Sequence, residues 1–263
     1  MRDLKSTKRI VIKIGSSSLT YPDTHKLNLD KIDLLAREIS DLFNSGREVV
    51  LVSSGAIASG MARLNFDTKP KELGLKQTLA CVGQSTLMQI YNRCFSEYGY
   101  TCGQLLLTKY VIDNENMRNN AKNCINQMLS MHILPIINEN DSISVDEIKL
   151  GDNDNLSQIV AKIIDADLLI LLSDVDGVYN KNPKIHTDAQ IIDEFEKNIS
   201  IEADGKSDLG TGGIATKIQA CLDASNAGIN AIIANANENF VVRQILNNKN
   251  IGTLFKAVDN KKM

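Results

Sequence analysis

Six short runs of β-branched and aliphatic residues recur along the chain: RIVIKIG (Arg9 to Gly15), REVVLVS (Arg47 to Ser53), QLLLT (Gln104 to Thr108), ILPIIN (Ile133 to Asn138), DLLILLS (Asp167 to Ser173) and INAIIAN (Ile229 to Asn235). None alternates strictly between apolar and polar positions. Each therefore predicts a strand apolar on both faces, the kind found in a mostly parallel sheet covered by helices on either side. Between them lie stretches with helical spacing: Leu29 to Asn44, Lys76 to Tyr98, Asn116 to Ser130, Leu156 to Ile164, Ile214 to Ala227 and Asn239 to Leu246. This βαβ succession predicts an α/β protein, a three-layer α/β/α sandwich with a mainly parallel central sheet. No repeat, heptad or low-complexity linker interrupts it, so residues 1–263 read as a single domain. The polar stretches Glu139 to Asp152 and Asn180 to Gly213 follow strand ends, where open α/β sheets collect their ligand loops.

Composition narrows the partners. The 263 residues, 43% hydrophobic and 23% charged, are ample for a large core. A net charge of −3 and a pI near 5.7, with Lys and Arg spread along the chain, offer no general attraction to nucleic acid or to an anionic membrane. Any anion must be bound at a local site. Cys81, Cys94, Cys102, Cys124 and Cys221 show no CxxC pairing and are expected to be reduced, buried thiols. His25, His132 and His186 stand apart from one another, so no zinc site is expected. The N-terminal MRDLKSTKRI lacks a signal-peptide core and no apolar run approaches the ~18 residues of a membrane span, which predicts a cytoplasmic protein.

Four segments carry chemistry. Lys13 lies inside a strand pattern, where an unpaired ammonium is costly and asks for an anion; the alternative is an edge strand whose lysine reaches water. Gly15, Ser16, Ser17 and Ser18 then offer a small-residue loop suited to phosphate. VLVSSGAIASG (Val50 to Gly60) predicts a strand, a turn and a helix start, with Ser53 or Ser54 as a cap and Gly55 leaving room for an anion, although strand–turn–helix is common in α/β proteins. There is no GxGxxG and no GxxxxGK[ST], which argues against a dinucleotide fold and a Walker-type NTPase.

INENDSISVDEIKLGDNDNLS (Ile137 to Ser157) is densely polar. It reads either as helix capping by Asp152 or Asp154 plus a solvated acidic hairpin, or as a site for an ammonium group, with Asn153 adding a neutral donor and Asp154 placed to orient lysines. GTGGIATK (Gly210 to Lys217) sets glycines and a threonine ahead of a helix that carries Lys217 in its first turns. Backbone N–H groups, helix dipole and ammonium converge there as in a phosphate site; a Gly-rich hinge is the alternative. Ser173 and Asp174 end a buried strand and either touch a nucleotide or form a cap or Asx turn.

Taken in order, VIKIGSS, VSSGAIASG, NENDSIS, GDNDNLS, SDVDGVYN and GTGGIATK resemble the successive motifs of the amino-acid kinase family, over nearly the whole chain from Lys8 to Phe255. The pairing of INEND with GDNDNLS resembles in particular the members that phosphorylate the γ-carboxylate of L-glutamate, the first step of proline biosynthesis. The resemblance implies the amino-acid kinase fold, with a substrate lobe over about residues 1–165 and a nucleotide lobe over about residues 166–263. It implies that Lys13 and Lys217 contact the transferring phosphoryl group from opposite sides and that Asp154 holds them. Ser54, Asp141 and Asn153 would bind glutamate. Lys13, Ser173, Asp174, Thr211, Gly212, Gly213, Ile214, Ala215, Thr216 and Lys217 would bind ATP. Mg²⁺ would be held largely by ATP oxygens and water, with no protein metal ligand.

The chemistry is compatible with this assignment, because an already ionised carboxylate attacks without a general base and a loose transition state needs positive charge more than covalent help. The family further implies feedback inhibition by proline and assembly into dimers or tetramers. Many such relatives continue beyond the equivalent of Phe255 into a PUA domain, whereas this sequence ends at Met263, so their regulation is not carried over. Position 173 is Ser where many relatives have Thr, which keeps the hydroxyl. The competing readings are another member of the fold, such as an acetylglutamate kinase, an aspartokinase or a uridylate kinase, and a non-catalytic amino-acid sensor. Acetylglutamate has no free ammonium for Asp141, a uridylate site would need more basic residues, and a sensor has no use for both lysines.

Overall fold

The computed structural model describes residues 3–21, 23–24, 26–143, 153–196 and 213–259. Strands β1 (Arg9–Ile14), β2 (Glu48–Ser53), β3 (Thr101–Leu107), β4 (Ile133–Glu139), β5 (Leu168–Ser173), β6 (Asn230–Asn235) and β7 (Thr253–Phe255) form one sheet in the order β3-β4-β2-β1-β5-β6-β7. All neighbours are parallel except the antiparallel β6–β7 pair. The helices are α1 (Ser16–Leu19), α2 (Leu29–Asn44), α3 (Ala56–Leu64), α4 (Leu73–Ser96), α5 (Lys109–Asp113), α6 (Glu115–Ser130), α7 (Asn153–Ile163), α8 (Gly213–Asn226) and α9 (Val241–Leu246).

The three layers follow from side-chain alternation on strands buried from both sides. Ile10, Ile12 and Ile14 of β1 face α2, α4 and α9, with Ile32, Ile39, Leu87, Tyr91, Phe95, Val242 and Ile245. Val11 of β1, Val50 and Val52 of β2, and Leu169 and Leu171 of β5 face α6, α7 and α8, with Ile125, Val160 and Cys221. Helix starts follow local chemistry. The Asn28 side chain accepts from the Lys31 N–H to open α2, and Asn114 does the same for Met117 at α6.

Four expectations are revised. QLLLT is part of an edge strand in which Gln104 is exposed, Leu105 and Leu106 are half-buried and only Leu107 is buried, with β4 on one side only. The strand TLF and the single turns SSSL and KYVID were not predicted, being too short for their periodicity to register. Ser53 and Ser54 do not cap α3: its N-cap is Gly55 at φ 103°, a left-handed backbone that glycine adopts without penalty. All five cysteines are free thiols, but only Cys221 is buried, with Cys81 and Cys124 exposed.

The entry of α3 is locked by α4. A Cβ added at Gly83 would lie 1.7 Å from the Ala56 carbonyl oxygen, and one at Gly60 2.0 Å from that of Leu79. The two helices thus touch backbone to backbone, which fixes the turn Ser53–Gly55 at the carboxyl end of β2.

Candidate active site

The strands β1, β2, β4 and β5 all run in one direction, so Ile14, Ser53, Asn138 and Ser173 come to the same edge of the sheet. Ligands of open α/β sheets bind at that carboxyl edge. Lys13, one residue short of the edge, is in register with Val52 and Leu171 on a central strand, which removes the edge-strand alternative for it.

The lysine is 4% exposed, and its Nζ lies 2.5 Å from Oδ1 of Asp154, which is fully buried. The other oxygen of that carboxylate, Oδ2, lies 2.8 Å from Nζ of Lys217. Thr216 Oγ1 also reaches Oδ2, at 3.4 Å, while donating to the Gly213 carbonyl at 3.1 Å. Asp154 stands in the first turn of α7 and does not act as its cap. Its carboxylate instead binds the two ammonium groups that the sequence places at opposite ends of the chain. Among the described residues, two ammonium groups thus share one buried carboxylate. Bare backbone stands beside both amines: a Cβ at Gly15 would lie 3.6 Å from Lys13 Nζ, and one at Gly213 3.5 Å from Lys217 Nζ.

Next to this cluster, Asn153 Nδ2 donates to Ser54 Oγ at 2.9 Å and to Asn138 Oδ1 at 2.7 Å, with the Ser53 carbonyl at 3.3 Å. Asn138 Nδ2 donates onward to Gln84 Oε1 at 2.9 Å. Ser53 itself shares a 2.7 Å hydrogen bond with the Tyr91 hydroxyl, which burial pushes above its ordinary pKa. Gln84 lines a cavity of about 480 Å³ between α4 and the ends of β3 and β4, together with Gln104, Glu139, Asn140, Asp141 and Ser142. Burial, and then the neighbouring Glu139, push the Asp141 carboxyl up to about 6, with Lys69 opposing.

On the nucleotide side, Ser173 Oγ donates to Asp174 Oδ1 at 3.0 Å at the end of β5. Gly213 opens α8, and Ile214 and Ala215 follow half-buried on it. Thr211 and Gly212 lie outside the described residues, as does Asp152.

Lys13, Asp154, Thr216 and Lys217 are therefore brought into one cluster, with Ser54 and Asn153 beside it and Asp141 in the adjoining cavity. Asn138, Gln84 and Glu139 were missed by sequence reasoning. Their signal was faint but present: a polar residue closing an apolar strand, and a glutamine inside the apolar stretch ACVGQS.

Comparison with known proteins identifies the family. The model of the amino acid kinase family matches residues 8–235. A glutamate 5-kinase of Clostridium tetani is 48% identical over 259 residues, covering 97% of either chain. One of Clostridium perfringens is 47% identical, again over 97% of each. One of a Thermoanaerobacter species is 44% identical over 97% of this chain and 70% of its own length. Among solved structures, an isopentenyl phosphate kinase superposes with a TM-score of 0.63 at 18% identity, over 94% of this chain and 100% of its own. A UMP kinase of Ureaplasma parvum gives 0.63 at 19%, over 97% and 100%. At such identities these two structures speak to the fold alone.

Proposed function

The chain belongs to the amino-acid kinase family, and from that premise we propose that it transfers the γ-phosphoryl group of ATP to the γ-carboxylate of L-glutamate, giving L-glutamyl 5-phosphate for proline biosynthesis. The observation that carries this reading is the cluster of Lys13 and Lys217 on the two oxygens of Asp154.

Phosphoryl transfer through a loose transition state needs alignment of two oxygens and positive charge around the equatorial oxygens. Lys13 and Lys217 supply that charge from opposite ends of the chain, and Asp154 fixes their spacing. Gly15 and Gly213 leave each amine open on one flank to a phosphate oxygen. The nucleotide lies over β5 and the start of α8, against Ser173, Asp174 and the run from Thr211 to Lys217. The lobe of about residues 1–165 holds the acceptor, and that of about residues 166–263 the nucleotide.

The acceptor sits between this cluster and the cavity of about 480 Å³. Asp141 attracts its ammonium group. The Ser54 hydroxyl, which accepts from Asn153, keeps its proton to donate to a substrate carboxylate. The γ-carboxylate is ionised near neutral pH, so its attack requires no proton transfer by the protein.

Both Asp154 oxygens are engaged by lysines, so the donor set suits Mg²⁺ carried on ATP oxygens and water, where it neutralises phosphate charge. The proposal extends to feedback inhibition by proline, to assembly into dimers or tetramers and to a cytoplasmic location; among the described residues no helix is long and apolar enough to cross a membrane.

The reading is tested with ATP, Mg²⁺ and hydroxylamine, which traps an acyl phosphate as a hydroxamate. Hydroxamate from glutamate, with none from aspartate or acetylglutamate, is the expected result. Turnover of acetylglutamate in preference to glutamate would replace this substrate assignment, and no hydroxamate from any acid would favour a sensor.

A further inference from the structure

Three of the five cysteines sit where a thiol reacts slowly. Burial raises the pKa of Cys94, pushes that of Cys102 up to about 12 and holds that of Cys221 well above the ordinary range. Little of each is then thiolate, the form that attacks an electrophile. Cys81 on α4 and Cys124 on α6 are exposed. They differ in what lies before them. Cys81 lines the cavity of about 480 Å³ from the same face of α4 as Gln84 and Ser85, whereas Cys124 is not one of its wall residues.

The sheet side of that cavity is acidic. Glu139, the last residue of β4, is 4% exposed, and neither of its carboxylate oxygens has a hydrogen-bond partner among the described residues. Asp141 lines the same space, half-buried. A buried carboxylate without donors marks a place for a donor-rich cation. A space of this size holds a small molecule. The helix side offers a sulfur nucleophile and the sheet side an anion, a combination that suits a molecule carrying both an ammonium group and an electrophilic sulfur.

We propose that Cys81 is a modification site for disulfides of aminothiols, which form with it a reversible mixed disulfide that fills the cavity. Cys81 Sγ, as thiolate, attacks one sulfur of the reagent. The reagent's S–S bond breaks, a new S–S bond to Cys81 forms, and the other half leaves as a thiolate that takes up a proton. Cys81 is oxidised and the leaving sulfur is reduced, so the step needs no other oxidant, and a reducing thiol reverses it. Formation of the adduct is independent of the proposed reaction; its effect on turnover rests on the acceptor using this cavity.

The test treats the unsubstituted protein with cystamine, which carries an ammonium group on each half, with uncharged bis(2-hydroxyethyl) disulfide and with anionic dithiodiglycolate. Adducts at Cys81 and Cys124 are followed by intact mass and peptide mapping, Cys124 serving as the internal reference for an exposed thiol. Cystamine should modify Cys81 about tenfold or more faster than Cys124, the low end of what a cleft of one charge sign does for an oppositely charged reagent. That ratio should shrink with the uncharged disulfide and fall further with the anion. Glu139→Gln should remove most of the advantage of cystamine; if this variant fails to fold, the charge series in the unsubstituted protein decides. Glutamate phosphorylation should fall in step with the Cys81 adduct, return with dithiothreitol, and survive cystamine in Cys81→Ser.

A ratio of Cys81 to Cys124 modification that is the same for all three disulfides, or turnover that survives complete modification of Cys81, would overturn the proposal. Absence of glutamate phosphorylation by the untreated protein would instead overturn the functional reading, and the adduct ratios would still decide the site.

Discussion

Asp154 and Lys217 meet at 2.8 Å between the first turns of α7 and α8, while the second oxygen of the same carboxylate holds Lys13 at 2.5 Å. One buried anion thus spaces two cations that stand near opposite ends of the sequence. A buried pair of this kind is a poor source of net stability, since desolvation offsets its attraction. Its value is in placement.

Removing the anion separates the two effects. Asp154→Asn removes the charge that Lys13 and Lys217 share, so stability should fall by about 3 kcal/mol, the usual cost of breaking a buried pair from one side. The kcat should fall by about a hundredfold or more as the lysines lose their spacing. Chemical denaturation and steady-state kinetics read the two numbers, and a variant with unchanged kcat would show that Asp154 does not position the lysines.

Lys217→Ala removes a charge that matters most as negative charge develops on the phosphoryl oxygens. The expected loss is about 10²–10³ in kcat, the range for one electrostatic stabiliser, with the KM for glutamate within a few-fold of the original. Near-normal turnover would take Lys217 out of the reaction.

On the proposed reading, Asp141 governs the pH dependence of glutamate binding. Its carboxyl is pushed up to about 6 by burial and by Glu139, so it is charged above that pH and neutral below it. The apparent affinity for glutamate should therefore weaken as pH falls through about 6, and Asp141→Asn should weaken it at neutral pH and flatten the profile. The same raised value means that Asp141 favours the folded protein below its unfolded pKa and loses that contribution as pH rises through about 6. An unchanged affinity in Asp141→Asn refutes its contact with the ammonium.

Much of this was legible beforehand. Helix α2 was bounded correctly because its apolar spacing, its cap Asn28 and its length agree with one another. The strands were found because β-branched runs ending in Ser or Asn are unusual outside a buried sheet. Lys13 was conspicuous as a charge among aliphatic residues, and Asp154 and Lys217 by the motifs around them. Asn138 and Gln84 were not, since a single amide in an apolar run says nothing of its partner until the fold brings β4 against α4. Ser53 or Ser54 reads as the cap of α3 because cap propensity is a local rule, whereas Gly55 takes that position with a left-handed backbone.

That approach gives a prediction outside the chemistry. Gly83→Ala would set a methyl 1.7 Å from the Ala56 carbonyl oxygen, so α3 must shift. Stability should fall by about 2 kcal/mol or more, as overpacking at a backbone contact does, and the KM for glutamate should rise because Ser54 moves with the turn. Full stability in this variant would mean that the two helices separate freely.

The central claim is that two distant amines flank the phosphoryl group in flight. A structure with ADP, Mg²⁺, a fluoroaluminate and L-glutamate tests it most directly. The account predicts Lys13 Nζ and Lys217 Nζ each in contact with the fluoroaluminate from opposite sides, still joined through Asp154. A fluoroaluminate bound with either amine turned away from it would contradict the account.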